Sequence, residues 1–254
     1  MLCQGAAPGE PLGEIVPSEA ILDHIAAAGR GLAAVHDSPV SVERIRSADN
    51  VLAWISLMAK GLMPIVPDAG RRLDDLVHRL RQVRDRTRRG EVCLVHGDFS
   101  VNQFLAGPSG VTMLDFDDAG MGDPHTDIGT FLARLDGRLQ NQDPDLRQRA
   151  ADAFRSSYAA ARGLVLEEDR ILWSETVAFI RMALSGLGQL KPDWPARLHG
   201  YLDRADGLLD GIGGSRTRSP AAATTRMACW AVSSDPGPVG TGAAWQRRGA
   251  IAVD

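Results

Sequence analysis

The sequence predicts an α+β fold that is predominantly helical. Apolar residues recur at helical spacing before about residue 90 and again after about residue 123, whereas the segment between them holds short apolar runs separated by turn residues. No internal repeat is present in the sequence. This order of helices, a small β cluster and further helices favours one helical body with a β hairpin cluster in its middle.

Three helices are predicted before the β cluster. The first follows a Gly/Pro-rich stretch, residues 1–17, which we interpret as a linker, and it begins at the N-cap Ser18. Its buried stripe consists of Ile21, Ile25, Ala28, Leu32 and Val35. The second helix is expected to begin at Ser41 and to bury Val42, Ile45, Leu52, Ile55 and Met58. The third is expected over about residues 68–89.

The β cluster begins after Gly90, and more helices follow it. Strands are predicted over residues 92–95, 103–106 and 111–115. Asp123 followed by Pro124 is typical of an N-cap and a first helical position, so a helix is predicted from there to about Leu139. A second Asp-Pro pair begins the next helix, and two more helices are predicted over about residues 167–189 and 195–210.

Composition excludes several classes of protein. A hydrophobic content of 44% and a charged content of 24% are ordinary for a globular chain, and a net charge of −4 gives no general attraction to nucleic acid or anionic membranes. Three widely separated cysteines fit a reducing compartment, and there is neither a signal-peptide pattern nor an apolar stretch long enough to span a bilayer. We therefore expect a cytoplasmic protein without nucleic-acid or membrane partners.

The third helix is rich in arginine, which raises the question of nucleic-acid binding. Aspartates are interleaved with these arginines, and no aromatic side chain offers a stacking platform. We therefore interpret the arginines as a solvated helix face.

The last segment, residues 213–254, differs in character from the rest of the chain. It is rich in small residues, has little periodicity and carries five arginines against two aspartates, and hence a net charge of +3. We expect this tail to be disordered or loosely attached, so that the folded domain occupies residues 18–212.

Carboxylates follow two apolar runs of the β cluster. Asp98 lies shortly after residues 92–95, and Asp115, Asp117 and Asp118 follow the run that ends at Leu114. A carboxylate beside a buried strand loses hydration unless a partner compensates, and a cation or a reacting hydroxyl is such a partner. Phosphoryl transfer uses both, because one carboxylate deprotonates the attacking hydroxyl and another holds Mg²⁺.

This part of the chain resembles a known family. The stretch HGDFSVNQFL followed by VTMLDFDDAGMGDPHTDIGTFLARL is similar to the aminoglycoside phosphotransferase/choline kinase family of small-molecule kinases, strongly over residues 94–135 and loosely over residues 9–37. The resemblance implies a protein-kinase-like C-terminal lobe over residues 18–212, with residues 1–17 as a remnant of the hinge. It also implies transfer of the γ-phosphate of ATP or GTP to a hydroxyl of a small molecule, with Mg²⁺ as cofactor.

At matching positions, the resemblance implies roles for five residues. Asp98 corresponds to the catalytic base and Asp115 to the magnesium-binding aspartate. Asp117 matches a second acidic residue that helps to bind a metal or its water shell. His96 corresponds to a histidine that supports the catalytic loop, and Asp127 to an aspartate that hydrogen-bonds the backbone of that loop.

The sequence departs from the family pattern in two respects. The second metal ligand of the family is usually asparagine, but Gln103 stands at that position and Asn102 beside it; we favour Gln103, which retains the amide oxygen. The chain also has only two lysines, Lys60 and Lys191, and no glycine-rich strand pair before residue 18. We therefore expect a truncated protein without the nucleotide-binding lobe and with severely reduced activity. The alternative is a catalytically inactive kinase-like remnant or binding protein.

Two other enzyme classes agree less well with the sequence. A phosphatase of the haloacid dehalogenase type would need Thr or Val where Ala119 stands, together with a parallel α/β sheet. A metallohydrolase would use His96, Asp98, Asp115 and His125, but their spacing fits no closed set of metal ligands. We interpret His125 instead as a solvated residue at a helix start.

The acceptor is expected to lie between the β cluster and the C-terminal helices. An aminoglycoside, an amino alcohol, a sugar and other polar metabolites are all compatible with the sequence. The acidic run Glu167, Glu168 and Asp169 either attracts a cationic acceptor or forms the first turn of a helix, where negative charge is favourable.

Overall fold

The computed structural model describes residues 9–12, 20–87, 90–107, 110–185, 193–212 and 250–253. Its helices are α1 Ile21–His36, α2 Ala48–Leu62, α3 Pro67–Arg86, α4 His125–Arg138, α5 Pro144–Arg162, α6 Glu168–Ser185 and α7 Trp194–Gly211. Its strands are β1 Glu10–Pro11, β2 Ile45–Arg46, β3 Cys93–Val95, β4 Phe104–Gly107, β5 Gly110–Leu114, β6 Gly120–Gly122 and β7 Ala250–Val253. The predicted α+β class with predominant helix is confirmed.

The predicted start of the second helix was wrong. The sequence placed it at Ser41, but α2 begins at Ala48, after the N-cap Ser47. The Ser47 hydroxyl accepts a hydrogen bond from the backbone N–H of Asn50 at 3.1 Å, which satisfies one of the free N–H groups of the first turn. Residues 45–46 form the edge strand β2, which is too short to show a periodicity of its own.

Two small sheets carry the loops that bear the carboxylates. One sheet has the order β1-β4-β5-β7 with antiparallel neighbours, and the other has the order β2-β6-β3. The β4–β5 hairpin pairs Phe104 with Met113. β3 is antiparallel to β6, whereas β2 is parallel to it. Asp98 follows β3 and Asp115 follows β5, so these two sheets determine where both segments begin.

The core below the β cluster is aromatic. Phe99, which immediately follows Asp98, is fully buried and packs against Phe104 and Phe131 with ring centroids 4.9 and 5.3 Å away. The rings of Phe131 and Phe154 are stacked at 4.1 Å, which joins α4 to α5. Because truncating a buried phenylalanine costs about 3–5 kcal/mol, Phe99 is a strong anchor for the backbone at Asp98.

A second hydrophobic cluster joins α2, α3, α6 and α7. At its edge the arginines of α3 contact α7: Arg72 forms an ion pair with Asp206 at 2.7 Å, and Arg79 with Asp210 at 2.6 Å. At these two positions the arginine face of α3 therefore also contacts a neighbouring helix. Arg88 and Arg89 lie outside the described residues.

The domain boundaries predicted from the sequence stay predictions. Residues 1–8 and 13–17 of the proposed linker lie outside the described residues, whereas Glu10 and Pro11 pair with β4. Residues 213–249 and 254 of the proposed tail also lie outside them, and β7 pairs with β5. In the part of the chain that the structure describes, no helix has the length and apolar character that crossing a membrane requires.

Candidate active site

The backbone of residues 96–100, which we call the Asp98 loop, is held by Asp127 at the start of α4. The carboxylate of Asp127 accepts hydrogen bonds from the backbone N–H groups of His96 at 2.6 Å and Gly97 at 2.8 Å. It also accepts one from Nε2 of His36, at 3.1 Å. The carboxylate is fully buried, and these interactions hold it against the loop backbone.

The pKa of Asp127 is lowered in spite of its burial. Burial by itself raises the pKa of this carboxyl group, but the hydrogen bond and charge of His36, the charge of His96 and the Gly97 N–H outweigh it, so the pKa lies below its usual value. His36 is supported in turn by the hydroxyl of Tyr158, 2.8 Å from its Nδ1. The buried network therefore favours the carboxylate form, which can accept from all of its donors.

His96 links the Asp98 loop to the end of β5. Its Nε2 lies 2.9 Å from the carbonyl oxygen of Leu114, the residue before Asp115. The ring is buried and packs against Phe99 and Phe116, with centroids 5.6 and 4.7 Å away. This placement suits the supporting role that the resemblance implies for His96, because the imidazole is in contact with the two segments that carry Asp98 and Asp115.

Gly97 permits the sharp turn that precedes Asp98. Its φ angle is +83°, a region that side chains rarely adopt, and a Cβ atom at this position would collide with the carbonyl oxygen of Asp118. The Asp98 loop therefore passes directly against the segment that follows β5.

The Asp98 carboxylate forms an ion pair with Arg134 of α4. Both side chains are about 30% exposed, at 29% and 31%, so the pair lies at the rim of the protein and is open to solvent. Arg134 follows Asp127 on α4, so one helix both holds the loop backbone and contacts the predicted catalytic base. The sequence analysis did not select Arg134, although it lies within the FLARL end of the stretch that carries the resemblance.

Gln103 and Asp115 lie side by side. The Gln103 side chain is buried; its Oε1 accepts a hydrogen bond from the Ser100 hydroxyl at 2.5 Å, and its Nε2 lies 3.4 Å from Oδ2 of Asp115. Asp115 adopts the left-handed backbone conformation, φ 69° and ψ 56°, which is uncommon for a residue with a side chain and is often found at functional sites. Asn102 is exposed, and the choice of Gln103 over Asn102 as a metal ligand stays a prediction.

The other predicted metal ligand, Asp117, lies on a short 3₁₀ turn and is exposed. Its carbonyl oxygen accepts a hydrogen bond from Arg44 at 2.8 Å, and the neighbouring Asp118 pairs with Arg46 at 2.8 Å. Within the described ranges no group of three or more His, Cys, Asp or Glu side chains is placed to hold a metal ion. Metal binding by Asp117 stays a prediction.

The chemistry of Gln103 and Asp115 fits Mg²⁺. This ion prefers hard oxygen ligands and keeps several waters, so one carboxylate and one amide oxygen form a sufficient protein contribution. Because amide oxygen and nitrogen positions are assigned from hydrogen bonds, turning the Gln103 amide by half a rotation brings Oε1 toward Asp115. Ser100 then keeps a partner, since its hydroxyl also accepts hydrogen bonds.

The acidic run at the start of α6 is engaged by arginines. Glu167 pairs with Arg170 and Glu168 with Arg155, both at 2.9 Å, and Glu168 and Asp169 lie in the first turn of α6. Of the two interpretations left open by the sequence, the structure favours the helix turn, where the N-terminal end of the helix dipole stabilises negative charge.

His125 is not the solvated residue that the sequence suggested. It is buried at the start of α4, and its Nδ1 lies 2.8 Å from Asp123, which also pairs with Arg170 at 2.5 Å. Burial by itself raises the pKa of Asp123, but the hydrogen bonds from His125 and Arg170 outweigh this effect and lower the pKa to about 2. The Asp-Pro pair therefore does more than cap α4: Asp123 joins α4 to α6.

Residues 5–164 match the family model described as the phosphotransferase enzyme family. The chain belongs to the phosphotransferase enzyme family. The resemblance on which the site assignments depend is therefore confirmed. No curated protein matches this phosphotransferase family member.

Solved structures give the same fold. A choline/ethanolamine kinase family protein from Mesorhizobium loti is similar with a TM-score of 0.56 and 18% identity, over 76% of this chain and 64% of that chain. Choline kinase from Cryptosporidium parvum gives a TM-score of 0.59 and 13% identity, over 82% and 71%. A glucosamine kinase in complex with glucosamine, ADP and inorganic phosphate gives 0.50 and 20%, over 80% and 57%.

At these identities the similarity concerns the fold alone. This phosphotransferase family member spans less than two thirds of the length of the Mesorhizobium protein and of the glucosamine kinase.

Proposed function

We propose that the protein transfers the γ-phosphate of ATP or GTP to a hydroxyl of a small molecule. The observation that carries this proposal is the pair of hydrogen bonds from the Asp98 loop to buried Asp127, which holds the peptide groups on both sides of His96. A base must be held within hydrogen-bond reach of the proton that it removes, and a fixed loop supports that. Membership of the phosphotransferase enzyme family supports the same reaction class.

In this proposal Asp98 accepts the proton of the acceptor hydroxyl while the hydroxyl oxygen forms a bond to the γ-phosphorus. The bond between the γ-phosphorus and the β–γ bridging oxygen breaks, and the nucleoside diphosphate leaves. Arg134 orients the Asp98 carboxylate through their ion pair. Gln103 and Asp115 hold Mg²⁺, and Asp117 contributes to its water shell. When bound, Mg²⁺ supplies positive charge that balances the oxygens of the transferred phosphoryl group. His96 and Asp127 keep the two carboxylate-bearing segments in place.

The donor and the acceptor are proposed at the level of chemical class. A fold similar to that of choline and glucosamine kinases supports a small polar hydroxyl compound as acceptor, and the ADP of the glucosamine kinase complex supports a nucleotide donor. We also propose a cytoplasmic location, where ATP is available and where the free, buried thiol of Cys93 remains reduced.

A second candidate function is binding without catalysis. The ion pair between Arg134 and Asp98 favours it, because an acceptor hydroxyl has to share the carboxylate with a guanidinium. In this case the chain binds a small molecule at the Asp98 loop but does not transfer phosphate.

The two candidates are separated by a phosphate-transfer assay. A panel of hydroxyl acceptors, including an aminoglycoside, an amino alcohol and a sugar, is incubated with ATP labelled in its γ-phosphate and the full chain. We expect label to appear in one acceptor, and the Asp98→Asn variant to lose about a hundredfold or more of that rate, since general-base catalysis contributes about that much. Asp74→Asn, at an exposed position of α3, is the matched control.

Equal transfer by Asp98→Asn and the unaltered chain would contradict the role of Asp98. Binding of an acceptor in calorimetry with no transfer by any form of the chain would favour the second candidate.

A further inference from the structure

Arg181, on α6, has an unusual position for a charged side chain. Its Nη1 lies 3.5 Å from the carbonyl oxygen of Gly97, the residue that precedes Asp98. Arg181 forms no salt bridge with any of the described residues. Its neighbours Arg46 and Arg134, in contrast, each form a salt bridge with an aspartate. A partly buried guanidinium with one long contact to a backbone oxygen has lost hydration without an anionic partner.

The charges around Arg181 are those of the candidate active site. Burial lowers the pKa of Arg181; the charge of Asp98 opposes this, while Arg134 and Arg46 lower the pKa further. Arg134 pairs with Asp98, and Arg46 shares Asp118 with Arg44. Arg181 is the arginine of this group that has no ion pair among the described residues.

Arg181 also lies on the acceptor side of the site as proposed above. Gln103 and Asp115, which are proposed to hold the metal and the nucleotide, belong to the β cluster, whereas Arg181 belongs to a helix packed against α4 and α7. A molecule whose hydroxyl contacts Asp98 from the helical side meets Arg181 next to the loop.

We propose that Arg181 forms an anion-binding subsite beside Asp98, so that the acceptor is a hydroxyl compound carrying a carboxylate or phosphate group. The proposal rests on the proposed function in one respect: Asp98 marks the position of the acceptor hydroxyl. Arginine suits this task because its planar guanidinium presents two parallel N–H groups to a carboxylate or phosphate.

A cationic acceptor fits the described surroundings less well. The acidic residues at the start of α6 that were candidates for attracting it, Glu167 and Glu168, are already paired with arginines. Placing an ammonium group beside Arg181 adds repulsion between like charges in a partly buried position, which disfavours binding.

The test is a set of matched hydroxyl compounds that differ in charge. Glycerate and glycerol 3-phosphate carry an anionic group, glycerol is neutral and choline is cationic. Each is titrated calorimetrically into the full chain, into Arg181→Gln and into Arg181→Lys, with Arg30→Gln at an exposed position of α1 as the control. Thermal unfolding of each variant checks that it is folded, and ATP is titrated into all four proteins separately.

We expect at least one anionic compound to bind the unaltered chain more tightly than glycerol or choline does. Arg181→Gln should weaken that binding about tenfold to a hundredfold, which corresponds to the loss of a charge-assisted hydrogen bond. Arg181→Lys should retain part of the affinity, and Arg30→Gln all of it.

Three results would overturn the proposal: no preference for the anionic compounds, an unchanged preference in Arg181→Gln, or a loss confined to ATP, which would assign the guanidinium to the nucleotide. These readouts measure binding and not turnover. The binding titrations therefore test the anion-binding subsite, whereas the transfer assay with Asp98→Asn tests the proposed function, and either proposal can fail without the other.

Discussion

Asp98 and Arg134 form an ion pair that joins the Asp98 loop to α4. The same helix begins with Asp127, which binds the loop backbone, so α4 controls both the position of the loop and the direction of its carboxylate. This arrangement differs from an isolated loop carboxylate, whose rotamer would be free in solvent. The structure therefore explains how a short loop that is buried except at Asp98 can present this one carboxylate in a defined orientation.

Replacing Arg134 with glutamine should lower the rate of phosphate transfer about tenfold or more, because a small displacement of a catalytic group costs at least that much. The midpoint of thermal unfolding should change little, since a pair about 30% exposed contributes about 1 kcal/mol or less. Both quantities are measured on the same preparation. An unchanged rate would show that Asp98 does not need Arg134 for its orientation.

Replacing Asp127 with asparagine should destabilise the fold by about 2–4 kcal/mol, because a buried acceptor of several hydrogen bonds is exchanged for a group that turns an NH₂ toward one of the donors. Urea unfolding measures the difference, with Asp23→Asn at an exposed position of α1 as the control. A free energy of unfolding within about 0.5 kcal/mol of the unaltered chain would refute the anchoring role, since this is the usual effect of a surface substitution.

Replacing Gln103 with alanine should weaken Mg²⁺ binding in the presence of ATP about tenfold or more, and Asp115→Asn should do so to a larger extent, because the carboxylate supplies the charge. Asn102→Ala, at the neighbouring exposed position, should leave the affinity unchanged. Calorimetric titration of Mg²⁺ into each variant distinguishes the two amides. A larger loss in Asn102→Ala than in Gln103→Ala would reverse the assignment.

Glu175 of α6 should make stability depend on pH near neutrality. Burial raises its pKa to about 7, with Arg155 opposing and Glu168 adding to the effect, beside a cavity of about 290 Å³ between α4, α5 and α6. A glutamate in the unfolded chain has a pKa of about 4.3, so the folded form holds the extra proton between about pH 4 and pH 7. The free energy of unfolding therefore falls as the pH rises through this window.

The Glu175→Gln variant should lack that decrease and should gain about 1–3 kcal/mol relative to the unaltered chain between about pH 4 and pH 8. Denaturant unfolding at these two pH values measures it, with exposed Glu43→Gln as the control. The lowered pKa values of Asp123 and Asp127 do not interfere, because their contribution is lost only as the pH falls below about 4. Parallel pH profiles of Glu175→Gln and the unaltered chain would contradict the prediction.

The sequence predicts most of this fold because the apolar residues of a long amphipathic helix recur with the helical period of about 3.6 residues. It fails where the structure depends on pairing between distant segments. β2 consists of residues 45–46 and exists only because β6 lies beside it, and β6 itself is the tripeptide Gly120–Gly122, which carries no strand pattern. Neither the alternation of side chains nor turn residues identify such elements.

The residues of the candidate site also fall into two groups, those that the sequence suggests and those that only the structure shows. Residues within one contiguous motif, such as Asp98, Asp115 and Asp127, can be proposed from the spacing of the motif. Arg134 and Arg181 lie in helices, where an arginine is normally a surface residue, so their proximity to Asp98 became visible only in three dimensions. His125 shows the reverse case: a polar residue at a helix start is usually exposed, but here Asp123 and the α4 packing bury it.

The proposed phosphate transfer requires that Asp98 and Asp115 act at one metal–nucleotide site. A crystal structure of the chain with Mg²⁺ and a non-hydrolysable ATP analogue tests this most directly. We predict a magnesium ion bound by Asp115 and Gln103, with the terminal phosphate facing Asp98. A metal–nucleotide complex bound at another surface, or an Asp98 carboxylate directed away from the terminal phosphate, would contradict it.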